Sequence, residues 1–331
     1  MKMIEWLKTA PQQKKALPIL SFPGHQITGK TVHELVTSSD AQVDCMCAIA
    51  DRYDTLASVS LMDLSVEAEA FGSHVRFSAD EIPSTVGSLV ATEADADALP
   101  LPKVGDARTG LYIDAVEKAL KRITDRPIFA GVLGPFSLAG RLIGVQEILI
   151  KAYREPALIH KTLEKATRFS IEYINAYKAV GAHGVMMAEP VAGLLPPRFL
   201  GDFSSSYVKR IIEATEDENF LVLYHNCGPV LGSIQKILSA GPRAMHFGNT
   251  IDLAEMGKSI PADRIFMGNV DPAGILHDGT PASVREATLR VLEACSGYQN
   301  FILSSGCDIP PSAPLKNLDS FFDTAKEFYG R

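Results

Sequence analysis

Eight apolar runs of strand length recur along this chain, at residues 17–22, 57–62, 128–134, 184–188, 220–224, 244–247, 265–268 and 301–304, and long amphipathic stretches separate most of them. Alternating strands and helices need crossover connections, which are the mark of parallel pairing. Eight such units predict an α/β fold, the (β/α)8 TIM barrel. The clearest helix spans 155–180, where Ile159, Leu163, Ala166, Phe169, Tyr173, Ile174 and Tyr177 recur at spacings of three and four and form one apolar stripe. At 331 residues the chain fits one barrel domain, 1–331, with an N-terminal extension and a small insertion after the second strand. The insertion, 71–109, carries a short extra strand at Val75-Arg76-Phe77-Ser78 and an acidic, irregular run at 91–106. It is expected to cover the barrel mouth.

The net charge is -7 without any basic cluster, which argues against nucleic acid or an anionic membrane as partner. A small molecule or another protein is expected instead. Residues 1–15 hold charges at Lys2, Glu5, Lys8, Lys14 and Lys15 and no signal-type apolar run, and no stretch reaches membrane-spanning length. Five scattered cysteines suit a reducing cytoplasm better than a disulfide framework.

A barrel of this kind places its chemistry at the carboxyl ends of its strands. The residues that follow the runs are polar: Asp63; Pro135-Phe136-Ser137; Glu189; His225-Asn226-Cys227; Gly248-Asn249; Asn269-Val270-Asp271; and Ser305-Gly306-Cys307-Asp308. His225 and Cys227 are two apart, so an extended strand points them the same way. Cys307, at the end of the eighth run, can join them. One imidazole and two thiolates suit zinc, and three protein ligands leave a fourth position open, as in catalytic sites. The competing reading makes the cysteines small buried apolar residues. Cys45, Cys47 and Cys295 lie in helical patterns and are expected in the core. His25, His183, His246 and His277 receive no role. Asp63 and Glu189 are candidate catalytic acids and Asp271 a substrate anchor; equally, carboxylates at such places accept loop N–H groups.

Several segments together resemble the uroporphyrinogen decarboxylase superfamily over residues 57–318. They are Met62-Asp63-Leu64-Ser65-Val66-Glu67-Ala68-Glu69-Ala70-Phe71-Gly72, Gly134-Pro135-Phe136-Ser137-Leu138, Met187-Ala188-Glu189-Pro190-Val191-Ala192-Gly193, Gly268-Asn269-Val270-Asp271-Pro272 and Ser304-Ser305-Gly306-Cys307-Asp308-Ile309-Pro310-Pro311. That superfamily contains porphyrinogen decarboxylases and zinc-dependent methyltransferases that move a methyl group between a corrinoid and a thiol. The decarboxylases share an arginine-rich segment after the first strand, which holds the tetrapyrrole's carboxylates. Here that place reads Ser21-Phe22-Pro23-Gly24-His25-Gln26-Ile27-Thr28-Gly29, and the first arginine of the chain is Arg52. Arg141 stands where decarboxylases carry tyrosine and Cys307 where they carry histidine, and His225-x-Cys227 is typical of the methyltransferases. Asp63 is common to both groups.

The resemblance therefore implies a methyltransferase with zinc on His225, Cys227 and Cys307 and a pocket involving Asp63, Arg141, Glu189, Asn269 and Asp271. Zinc would turn a bound thiol into a thiolate nucleophile, or act as a Lewis acid on a methylated heteroatom. Some members supply a further carboxylate from the sixth strand end, where this chain has Gly248-Asn249-Thr250. No Asp-x-His-x-x-Gly corrinoid signature occurs, so methylcobalamin is expected free or on a separate carrier protein. Uroporphyrinogen decarboxylation, or a non-catalytic barrel that binds metal or corrinoid, are the alternatives.

Overall fold

The computed structural model describes residues 1–330. Seven parallel strands, β1 (Ser58–Val59), β4 (Ile128–Leu133), β5 (Gly184–Ala188), β6 (Leu221–Asn226), β7 (Ala244–Phe247), β8 (Ile265–Val270) and β9 (Phe301–Ser305), run in that order around a curled sheet, and β2 (His74–Arg76) pairs antiparallel with β3 (Ser84–Val86) in a separate hairpin. The sheet is a distorted (β/α)8 barrel.

Its two hydrophobic layers follow from strand parity. Inward positions such as Met186, Leu221, Leu223, Ala244, Ile265, Met267 and Ile302 fill the barrel. Outward positions such as Val185, Val222, Tyr224, Met245 and Phe266 pack with the helices. The long helix Pro156–Ala179 begins on proline, whose missing N–H costs nothing in the first turn, and buries the whole apolar stripe from Ile159 to Tyr177. At the amino end of the strands the helix Met3–Thr9 inserts Met3 and Trp6 into the inner layer and so plugs the barrel.

The eighth position departs from the expected strand 17–22. That segment joins no ladder, yet it closes the ring. Leu17 N–H donates to the Leu303 carbonyl at 2.9 Å, Leu56 N–H to Ala16 at 2.8 Å and Ile309 N–H to Ile19 at 3.1 Å. Pro18 offers no N–H, which removes a rung. Side chains of β9 replace it: Ile19 N–H donates to Ser305 Oγ at 3.1 Å, and Ser304 Oγ donates to the Leu17 carbonyl at 2.6 Å.

The insertion contains the β2–β3 hairpin and a short helix, Glu93–Ala98, where 91–106 reads as irregular. Thr92 and Asp95 form a capping box there, which lets an acidic run start a helix. No helix among the described residues is long and apolar enough to cross a membrane.

Candidate metal centre

β6 carries Leu221 and Leu223 into the barrel, and the same parity brings His225 and then Cys227 to the inner side of its carboxyl end. Cys307 arrives from the turn after β9. Cys227 Sγ lies 2.9 Å from His225 Nε2, Cys307 Sγ lies 3.4 Å from the same nitrogen, and the sulfurs are 3.4 Å apart. The three donor atoms fall within 4.8 Å of one another, and among the described residues no further histidine, cysteine or carboxylate joins them.

The thiols are unequal. Cys227 Sγ–H donates to Cys307, which together with His225 holds the Cys307 thiol well below the ordinary range, while Cys227 is pushed up by that bond and by burial. Two cysteine sulfurs and an imidazole nitrogen make a soft donor set that fits zinc.

His246 lies directly behind. It is the register partner of His225 on β7, and its Nδ1 sits 2.7 Å from His225 Nδ1 while its Nε2 sits 2.8 Å from Ser304 Oγ. Burial and the neighbouring imidazole hold His246 well below the usual histidine range. Sequence reasoning passed over this residue. The signal was strand parity, because His246 stands two after the inward-facing Ala244.

A cavity of about 170 Å³ opens beside the donors, with apolar walls from Met62, Leu64 and Ile82 and with Arg141, Asp308, His225 and Cys307 as polar members. Ile82 belongs to the insertion, which thus covers this side of the mouth. Arg141 makes no hydrogen bond or ion pair among the described residues, and its Nε is buried without a partner. Burial pushes its guanidinium down and the charge of Asp63 opposes that. A larger cavity, about 660 Å³ beside Arg243 and Arg264, opens at the opposite ends of the strands and holds none of the donors.

The remaining sequence candidates lie outside the lining of the small cavity. Asp63 is buried and fully engaged: Arg108 pairs with its Oδ2, Tyr112 donates to the same oxygen at 2.8 Å, and Ser65 donates to Oδ1 through its hydroxyl at 2.6 Å and its N–H at 3.0 Å. Arg108 also reaches Glu69 at 2.6 Å and lies over the Phe77 ring. It is a second residue missed from sequence, 45 positions from its partner. Glu189 accepts from Phe136 N–H, Ser137 N–H and Ser137 Oγ at 2.6–2.9 Å, and burial lifts it to about 7 against those bonds. Asn269 donates to the carbonyls of Gly248 and Ile251, which pins the loop after β7. Asp271 accepts from Ala273 and Gly274 N–H, both at 3.0 Å.

The family model for uroporphyrinogen decarboxylase (URO-D) matches residues 16–328. Methylcobamide:CoM methyltransferase MtbA of Methanosarcina acetivorans is 26% identical over 296 residues, 87% of this chain and 86% of its own. Uroporphyrinogen decarboxylase of Hahella chejuensis is also 26% identical, over 84% of this chain and 80% of its own. A solved methyltransferase from Methanosarcina mazei, 22% identical, superposes with a TM-score of 0.87 over 99% of both chains. Equal identity to both kinds of enzyme leaves the reaction to be argued from the site, but the match over nearly the whole barrel settles the lineage: the chain belongs to the uroporphyrinogen decarboxylase family.

Proposed function

We propose that this protein is a zinc-dependent methyltransferase that moves a methyl group between a corrinoid and a thiol or other methyl-carrying heteroatom. The observation that carries this reading is the convergence of His225 Nε2, Cys227 Sγ and Cys307 Sγ beside a small cavity that His225 and Cys307 line. The three residues would hold the ion and leave one side facing the cavity. Zinc there supplies Lewis acidity, which lowers the pKa of a thiol or polarises a heteroatom–methyl bond. The curated relatives named for methyl transfer from a methylcobamide to CoM support this choice.

The chain's own groups then have separable tasks. Arg141 is a free cation at the cavity and orients a substrate that carries an anionic group. Met62, Leu64 and Ile82 keep water from the reacting atoms. Asp63 and Glu189, candidates for acid–base work, have their oxygens committed to protein donors and serve here as positioning residues; Asn269 and Asp271 hold the loops after β7 and β8. The corrinoid presents its methyl group at the mouth, free or on a separate carrier protein, and the reaction belongs to the cytoplasm. Residues 1–331 act as one domain.

The size of the cavity counts against the decarboxylase alternative. At about 170 Å³ it is smaller than the ~300–1,000 Å³ that houses drug-sized ligands, and it offers one guanidinium to a substrate with many carboxylates. The test is metal content of the protein as purified, beside an identically prepared Cys307→Ala variant, followed by methyl transfer from methylcobalamin to a panel of thiols. About one zinc per chain, lost in the variant, together with methylated thiol is the expected result. Absence of zinc from metal-replete protein, or efficient conversion of uroporphyrinogen to coproporphyrinogen, would overturn it.

A further inference from the structure

The direction of every hydrogen bond behind His225 can be read from one fixed end. The Leu17 carbonyl can only accept, so Ser304 spends its single hydroxyl proton there, at 2.6 Å. Ser304 Oγ must then accept from His246 Nε2, 2.8 Å away, which places the His246 proton on that nitrogen. A neutral imidazole carries one proton, so His246 Nδ1 is an acceptor, and the contact at 2.7 Å requires His225 Nδ1 to donate to it. With its proton on Nδ1, a neutral His225 presents the Nε2 lone pair to the sulfurs of Cys227 and Cys307, as a metal ligand must.

We propose that His246, oriented by Ser304 and the Leu17 carbonyl, is the positioning residue that fixes the tautomer and ring orientation of His225 as a metal ligand. This rests on the zinc reading given above. A ligating imidazole needs its second nitrogen anchored, and the usual anchors are carboxylates, backbone carbonyls or water. Here a second imidazole takes that place, one strand over and in register. The chain of bonds ends on the segment that closes the barrel in place of an eighth strand. Ser305 ties the other side of that segment to the centre, accepting from Ile19 N–H and donating to the Cys307 carbonyl at 2.7 Å. Closure of the ring and the geometry of two of the three donors therefore share the adjacent serines Ser304 and Ser305.

Two substitutions of similar size separate an acceptor role from packing. Asn at position 246 places Oδ1 where the imidazole has Nδ1, whereas Leu fills the space and accepts nothing. Zinc affinity is measured by chelator competition on the full-length protein, with the visible absorption of the cobalt(II)-loaded form as a report on ligand geometry. His246→Leu should lose about 10–100-fold in affinity and alter the cobalt spectrum, and His246→Asn should recover most of both. Ser304→Ala, which releases His246 to either tautomer, should fall between them and serves if the Leu variant does not fold. Wild-type affinity in His246→Leu, a loss in Asn that Leu rescues, or wild-type behaviour of Ser304→Ala in place of an unfolded Leu variant would overturn the proposal. Failure of the wild-type chain to take up zinc is a distinct result, because it removes the metal reading and this role with it.

Discussion

The Cys227 carbonyl occupies the space that a side chain at Gly193 would need: a Cβ there would lie 1.7 Å from the oxygen and 2.8 Å from the carbonyl carbon. The loop after β5 thus rests directly on the backbone of a donor residue. No rotamer change relieves such a clash, because both partners are main chain. Gly193→Ala should displace Cys227 and lower zinc affinity by about 10-fold or more. Chelator competition would measure this, and unchanged affinity would show that the two loops are not coupled.

A buried charge pair sits behind the same face. The Asp63 side chain is fully enclosed and that of Arg108 is 10% exposed, so neither charge has water to fall back on. Arg108→Met should cost about 3–5 kcal/mol of unfolding free energy, since it strands Asp63 and weakens the hold on Glu69. The double variant Arg108→Met with Asp63→Leu should be more stable than the single one, because no orphan carboxylate remains beside the Ser65 and Tyr112 hydroxyls. Urea unfolding of the three proteins tests the order.

Much of this architecture is legible in the sequence because the strands are nearly continuous apolar runs that end on polar residues. Both the parallel sheet and the short list of strand-end residues follow from that contrast. Parity alone places His225 and Cys227 on one side; bringing Cys307 to them requires the ring to close, which the run at 17–22 suggests without forming a ladder. That closing segment misleads because its pairing passes through Ser304 and Ser305 side chains and around Pro18, and local apolar content carries no trace of it. Arg108 is hidden for a different reason. It stands just past the acidic run 91–106, immediately before the helix Thr109–Arg122, and its bond to Asp63 is a tertiary fact that no spacing encodes. For Asp63, Glu189 and Asp271 residue type leaves two readings open, an acid or an acceptor of loop N–H groups, and each carboxylate accepts from protein donors in the structure.

Glu67 gives a prediction in pH. It is fully buried behind the site, accepts from Leu133 N–H at 2.7 Å, and burial lifts it from 4.5 to about 7. A carboxyl group whose folded pKa is raised favours the folded state most below its unfolded pKa, and that contribution is lost as pH rises through the folded value. Wild type should therefore lose stability relative to Glu67→Gln between about pH 4.5 and 7, with the loss complete above that. Such a rise corresponds to a relative change on the order of 3 kcal/mol. Urea unfolding of both proteins at pH 5 and pH 8 would check it, and a difference independent of pH would mean that Glu67 keeps its ordinary pKa.

Arg141 is the residue whose loss should separate binding from metal chemistry. It contributes no donor to the His225–Cys227–Cys307 cluster and makes no hydrogen bond or ion pair among the described residues. Removing the guanidinium should leave metal content and stability nearly unchanged. Asp63, the carboxylate that acts on it electrostatically, keeps Arg108 as its partner, so no buried charge is stranded. Arg141→Met should then raise KM for thiols bearing a carboxylate, sulfonate or phosphate, by about 10- to 100-fold for the roughly 1.5–3 kcal/mol of a charged hydrogen bond. Neutral thiols of the same length should be converted as before, since they never used the cation. Arg141→Lys keeps the charge without the fork and should fall between for planar carboxylates. A loss that is equal for charged and neutral thiols would place Arg141 in the structure of the cavity rather than in recognition of its occupant.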